Sequence, residues 1–397
     1  MHPLKKLYCR TFQTVFKLAI PFLPYRSPEL LHGMDELIDK LKSLKLNNVL
    51  LVTDKGIRSL GLTSHLEQLM EQNNIFCTVY DGTVANPTTD NVDEALHLYK
   101  ENNSQALIGF GGGSSMDCAK AVGACIARPK TPLMKMKGIL KVIRPLPPLF
   151  AVPTTAGTGS ETTLAAVITD AKTRVKYPIN DFPLIPRYAV LDPEVTRSLP
   201  PFITASTGLD ALTHAVEAYI GRSTTKKTRK AALKAVQLIF ANLQTAYHDG
   251  NNMTARKNML HASYYAGVAF TISYVGYVHA VAHSLGGKYN IPHGLANAVL
   301  LPIVLRDYAA AAQRKLHDLA NAAGLSDENA CVAAEKFICA IEAMLDEFSL
   351  GRTLAGIKAE DIPELARHAD AEGNPLYPVP VLMNAKELEH FYHAVSQ

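Results

Sequence analysis

At 397 residues the chain is longer than one hydrophobic core supports, so two domains are expected. Hydrophobic residues make up 48% and charged residues 19% of it, which excludes wholesale disorder. The 40 basic and 36 acidic residues leave a net charge of +4, too small and too dispersed for a nucleic-acid footprint.

The six cysteines form no C-x-x-C pair and no disulfide-like framework, which reads as reduced thiols in a cytoplasmic protein. No apolar run approaches the roughly 20 residues that span a bilayer, and no secretory h-region is visible.

The first segment, KKLYCRTFQTVFKLAIPFLPYR, carries five basic residues and no acid, with Leu7, Phe12, Phe16 and Ile20 at roughly helical spacing. Such a stripe fits a helix laid on a membrane surface. Stripes of this kind more often pack on the protein's own body or on a second subunit, and that is the expectation here. A transit peptide is a third reading.

Between residues 48 and 152, NNVLLVTD, IFCTVY, QALIGF and LFAVPTT alternate with helical patterns, the signature of a parallel sheet crossed by helices. The helix near TTDNVDEALHLYKEN places Val92, Ala95, Leu96 and Tyr99 on one apolar face.

ALIGFGGGSSMDCAKAVGA reads as a buried strand, a glycine turn and a helix, with Ser114 and Asp117 spaced as a capping box. Backbone N–H groups and the helix dipole favour an anion at such a turn. It lacks the Gly-Lys-Ser/Thr of an ATP-hydrolysing P-loop, and Gly109 and Gly111 are followed by Ser114 where the G-x-G-x-x-G fingerprint needs glycine. VPTTAGTGSE is a second strand end running into small hydroxylated residues, and Asp54 ends NVLLVTD. All three lie at expected carboxyl ends of parallel strands, where open α/β sheets bind ligands. An acid there suits a ribose hydroxyl and repels a 2′-phosphate, so Asp54 leans toward NAD over NADP.

After LDPEVTRSLPP the strand signal ends and long helical stretches take over, so the boundary is placed near residue 198, before Pro200 and Pro201. STGLDALTHAVEAY sets Asp210 and His214 on one helix face, His279 and His283 repeat the spacing, and His293 follows Pro292. Imidazole with carboxylate suits Zn, Fe, Ni, Co or Mn rather than Mg or Ca. For His261, His317 and His390 an ordinary polar role is expected.

GGGSSMDCAK, PTTAGTGSE, TGLDALTHAVEAY and HAVAHSLGGKYNIPHGLANAVLLP occur in this order, and together they resemble the iron-containing (group III) alcohol dehydrogenase family over roughly residues 30 to 395. The resemblance implies a dehydroquinate synthase-like, iron-containing alcohol dehydrogenase fold. An α/β dinucleotide-binding domain with a parallel sheet spans 1–198, with a basic extension over 1–28, and an all-helical metal-binding domain spans 199–397. It implies NAD and one divalent metal, Fe2+ or Zn2+, held by Asp210, His214, His279 and His293. The implied cofactor contacts are Asp54, Asn86, Gly112, Gly113, Ser114, Thr154, Thr155, Thr158 and Lys176, with Asp117 joining them at the glycine turn. His283 matches a histidine that lines the nicotinamide and is not a ligand; its expected role is to relay a proton or to orient the cofactor.

The expected reaction moves hydride between a primary alcohol or diol and NAD, reversibly, in a homodimer or larger homo-oligomer. The alternatives are a hydroxyacid-oxoacid transhydrogenase, another member of the superfamily, and an NAD-binding protein without turnover. Two departures from the family pattern stand out: Ala165 replaces a polar residue common after the GTGSE stretch, and Gly33 alone remains of a glycine pair near the first helix.

Overall fold

The computed structural model describes residues 1–397, and its first element departs from the expected division. α1 (Pro3–Ala19) belongs with residues 199–397, while the α/β unit runs from Pro24 to Ser198. Polar anchors explain the reassignment. Lys5 Nζ meets both carboxylate oxygens of Asp370 at 2.8 Å, Arg10 donates to the carbonyls of Val379 and Pro380 at 2.7 Å, and Gln13 donates to that of Tyr377 at 2.8 Å. The expected stripe also splits: Ile20 is buried and Phe16 sets its ring edge-on to Tyr274, whereas Leu7 and Phe12 face solvent.

The α/β unit runs β1 (Glu29–Leu31), α2 (Met34–Ser43), β2 (Asn48–Val52), α3 (Lys55–Ser59), α4 (Ser64–Gln72), β3 (Phe76–Tyr80), α5 (Thr89–Glu101), β4 (Ala106–Gly111), α6 (Gly113–Ala127), β5 (Gly138–Ile139), β6 (Leu149–Pro153), β7 (Ala165–Thr169), β8 (Lys176–Asn180) and β9 (Tyr188–Val190). The main sheet is wholly parallel, in the order β1-β9-β6-β4-β2-β3. Strand alternation divides its residues between two cores. Leu50, Val52, Leu107 and Leu149 pack with Val92 and Ala95 of α5 and with Ala119 and Val122 of α6. Val49, Leu51, Ile108, Phe110 and Val152 pack with Leu37, Ile38 and Leu41 of α2. Burial on both faces explains the uninterrupted apolar runs in the sequence. A smaller sheet, β5-β8-β7, carries the antiparallel β7–β8 pair.

From Leu199 onward the unit is helical: α7 (Pro201–Ile220), α8 (Lys226–His248), α9 (Met253–Ser273), α10 (Tyr277–Tyr289), α11 (His293–Ala322), α12 (Ala330–Glu347), α13 (Ile362–Gly373) and α14 (Ala385–Val395). α11 is long and apolar enough to cross a bilayer by length and composition, against the expectation that no such run exists. Its packing against α7 and α12 accounts for that character, since most of its apolar window is buried.

Candidate metal centre and nucleotide turn

α7 places Asp210 and His214 one turn apart, α10 supplies His279, and His293 opens α11 directly after the N-cap Pro292. Their ligand atoms all lie within 4.8 Å of one another. Asp210 Oδ1 is 3.5 Å from His293 Nε2, 3.9 Å from His279 Nε2 and 4.0 Å from His214 Nδ1. The two longer separations exceed hydrogen-bonding reach. They suit donors to a common ion, because ligands about 2.1 Å from a shared cation sit roughly 3.4 Å apart in a tetrahedral shell. His279 Nε2 is buried and has no hydrogen-bond partner in the protein. A buried polar atom without a partner is costly, and a cation facing it removes the cost. The residues present therefore fit a divalent ion.

Further residues hold these side chains. Glu217, on the same face of α7, accepts from the backbone N–H of Gly276 and of Val278 at 2.8 Å and from His279 Nδ1 at 2.6 Å. The pairing fixes Nδ1 as the protonated nitrogen of His279 and turns the Nε2 lone pair toward Asp210. Burial and the neighbouring His214, His293 and His283 keep the His279 imidazole neutral, well below its ordinary range. Asn297, one turn into α11, donates to Asp210 Oδ1 at 2.7 Å and lies 3.1 Å from His293 Nε2. Phe270 stacks on His214 with centroids 4.1 Å apart. His283 is not among the four converging residues; its ring stacks on His293 at 5.1 Å, and its Nδ1 pairs with Glu372 Oε1 at 2.6 Å, which also accepts from the Tyr377 hydroxyl. Sequence reasoning missed Glu217, Asn297 and Glu372. Glu217 had a signal, since Asp210, His214 and Glu217 sit at i, i+4 and i+7.

In the α/β unit, β4 ends at Gly111 and α6 starts at Gly113 with Gly112 as its N-cap. The expected Ser114–Asp117 capping box does not form, because α6 begins before Ser114 and places both residues inside the helix. Asp117 instead accepts from the backbone of Val167 at 3.0 Å and from Ser160 Oγ at 3.1 Å. Gly111 has φ +148°, and a Cβ there would lie 2.6 Å from Ser115 Oγ, so the turn requires glycine at that point. A Cβ on Gly112 meets nothing within 4 Å, so the backbone there is open to a ligand.

Several of the expected cofactor residues gather around this turn. Ser114 Oγ accepts from the Asn86 backbone at 3.3 Å, and Asn86 Oδ1 accepts from Lys176 Nζ at 2.6 Å. Thr158 lies against Gly113, and Thr154, followed by Thr155 after β6, donates its backbone N–H to the Gly111 carbonyl at 3.0 Å. Asp54 caps α3 through Ile57 and accepts from Ser115 Oγ at 3.5 Å.

Behind the turn sit two buried ionisable side chains that sequence reasoning did not find. Buried Lys120 donates to Ser160 Oγ, Thr163 Oγ1 and the Ala165 carbonyl, while both carboxylate oxygens of buried Glu161 accept no hydrogen bond. Burial pushes the Glu161 carboxyl up to about 7 from 4.5 and lowers the Lys120 ammonium to about 8. A carboxyl whose folded pKa is raised binds its proton more tightly in the native state, so stability falls as pH climbs from 4.5 toward 7. Glu161→Gln is expected to flatten that fall by about 2 kcal/mol between about pH 5 and pH 7. Urea unfolding at the two pH values measures it, and an unchanged pH slope would show that Glu161 ionises normally.

Models of two families match the chain: "Iron-containing alcohol dehydrogenase" over residues 31–193 and "Fe-containing alcohol dehydrogenase family, C-terminal" over residues 204–396. The 1,3-propanediol dehydrogenase of Citrobacter freundii is 38% identical over 387 residues, covering 95% of this chain and 98% of its own. Alcohol dehydrogenase 4 of Saccharomyces cerevisiae is 39% identical over 341 residues, covering 85% and 88%. A crystal structure of 1,3-propanediol oxidoreductase superposes with a TM-score of 0.88 at 37% identity, covering 93% of this chain and 98% of that one. With both units matched and one aspartate gathered with three histidines, the chain belongs to the iron-containing alcohol dehydrogenase family.

Proposed function

We propose that the protein moves hydride between a primary alcohol or diol and NAD, and in reverse reduces an aldehyde or ketone. The observation that carries this reading is the convergence of Asp210, His214, His279 and His293 with the buried His279 Nε2 left for an ion. These four residues would hold one divalent cation, Fe2+ by family and Zn2+ by donor chemistry. When bound, the ion supplies Lewis acidity toward an alcohol oxygen and NAD supplies the hydride acceptor.

The chain's own residues do the remaining work. Glu217 and Asn297 hold the donors in place. The glycine turn at Gly112 and Gly113, with the α6 N-terminus, takes a pyrophosphate, and Ser114, Asn86, Lys176, Thr154, Thr155 and Thr158 supply hydroxyl, amide and ammonium groups around it. Asp54 supports NAD over NADP, since a carboxylate accepts from a ribose hydroxyl and repels a phosphate. His283, fixed by Glu372, is positioned to take a proton and pass it on. Six free cysteines fit a reducing compartment such as the cytoplasm.

The test is a panel of primary alcohols, diols and aldehydes with NAD and NADP, read at the reduced-nicotinamide absorbance band. Turnover should vanish with a chelator and return with ferrous iron or zinc. NAD binding without any absorbance change across the panel, or full turnover by metal-stripped protein, would overturn the reading.

A further inference from the structure

α1 is apolar on two faces. Cys9, Phe16 and Ile20 turn toward the body, whereas Leu4, Tyr8, Val15, Leu18 and, just past the helix, Phe22 form an outward row, 71, 59, 62, 69 and 88% exposed. Single apolar side chains in water are ordinary, but a continuous row on one helix face calls for a cover.

Charge identifies that cover. Residues 1–28 contain no acid, and neither do residues 218–248. In that second stretch Arg222, Lys226, Lys227, Arg229, Lys230 and Lys234 are all exposed. Lys226, Lys227, Arg229 and Lys230 occupy the start of α8, the end at which the helix dipole disfavours cations. The two segments share one region: Arg10 of α1 donates to the carbonyls of Val379 and Pro380 at 2.7 Å, and the Arg222 backbone N–H donates to the adjoining Pro378 carbonyl at 2.7 Å. Acids that contact these segments are engaged: Glu347 pairs with His248 at the end of α8. Asp370 pairs with Lys5, Glu387 with the amino terminus, and Asp318 accepts from the Tyr219 hydroxyl.

We propose that this surface docks on the anionic face of a lipid bilayer, with the α1 row entering the headgroup boundary and the cations of α8 meeting lipid phosphates. An apolar helix face bordered by lysine and arginine is the pattern that binds such interfaces. A second copy of the chain is the poorer occupant, since pairing the row with itself brings two acid-free cationic segments together.

The test floats the full-length protein with vesicles of phosphatidylcholine alone or mixed with phosphatidylglycerol. Binding is expected to the mixed vesicles only and to weaken as salt is raised. Leu18→Asp with Phe22→Asp abolishes it. Lys226→Gln with Lys230→Gln, at exposed positions that the fold does not need, weakens it on the order of tenfold and leaves alcohol turnover unchanged. Equal binding to neutral vesicles, or none to either, overturns the proposal. So does a Leu18→Asp/Phe22→Asp variant that splits an oligomer in sedimentation while vesicle binding stays the same, which would assign the row to a second copy.

Discussion

Asp210→Asn is expected to yield a folded protein that retains no stoichiometric divalent ion and whose kcat/KM for alcohol oxidation falls by roughly a thousandfold or more. Asp210 is the one anionic donor in the cluster, and its Oδ1 faces all three histidines. An amide of the same shape keeps an oxygen for the Asn297 donor, so packing survives while the charge that draws a cation is lost. Lewis-acid stabilisation is worth several kcal/mol, and each step of about 1.4 kcal/mol is a factor of ten, which sets the size of the loss. Metal analysis of dialysed protein provides a readout independent of turnover. Thermal unfolding provides another, since an ion that binds only the folded state raises Tm. A chelator should lower the Tm of the parent protein and leave that of the variant unmoved. A variant that keeps its metal through dialysis would mean that the ion sits elsewhere.

Much of the fold was legible because burial on both faces leaves a plain mark. β2, β4 and β6 read as strands from runs such as NVLLV and ALIGFG, whereas β3, an edge strand buried only at Tyr80, reads as one from its β-branched and aromatic run. β1 and β9, three residues each, are too short to carry a period, and they are strands because their backbones pair with each other and, for β9, with β6. β7 and β8 were missed for another reason. β7 is held by Asp117 and Lys120, which bond to Val167 and Ala165 from a helix far upstream, and β8 pairs antiparallel with β7. α1 was legible as a helix but not in its register, because its inner face is chosen by Asp370, Tyr377, Val379 and Pro380, at the opposite end of the chain.

The site divides along the same line. Asp210 with His214 was visible as a helical pair, and so was His279 with His283, because the i, i+4 spacing is local. Nothing in that spacing says which member of the second pair faces the first. The fold decides it by bonding Glu217 to His279 and Glu372 to His283. At the nucleotide turn the sequence misplaced Asp117 because helix starts are uncertain by a residue or two, and one residue separates a capping position from an interior one.

Glu217→Ala is expected to weaken divalent-ion affinity by roughly 10- to 100-fold and to destabilise the fold by on the order of 3 kcal/mol. The carboxylate takes three donors: the backbone N–H of Gly276, that of Val278, and His279 Nδ1. Its fit is close enough that a Cβ on Gly276 would lie 2.6 Å from Glu217 Oε1, so glycine is required beside it. Burial pushes the Glu217 carboxyl up to about 7, against the pull of those donors. Alanine leaves two buried N–H groups without acceptors and frees the His279 ring to rotate or change tautomer, which turns a proton instead of a lone pair toward Asp210. Glutamine does not repair this, because one side of its amide is itself a donor and would face N–H groups. Two measurements separate the effects: metal titration monitored by calorimetry gives the affinity, and urea unfolding of metal-stripped protein gives the stability. If Glu217→Ala lost stability but bound the ion as tightly as the parent, the carboxylate would be a brace for the α9–α10 turn and not the group that aims His279.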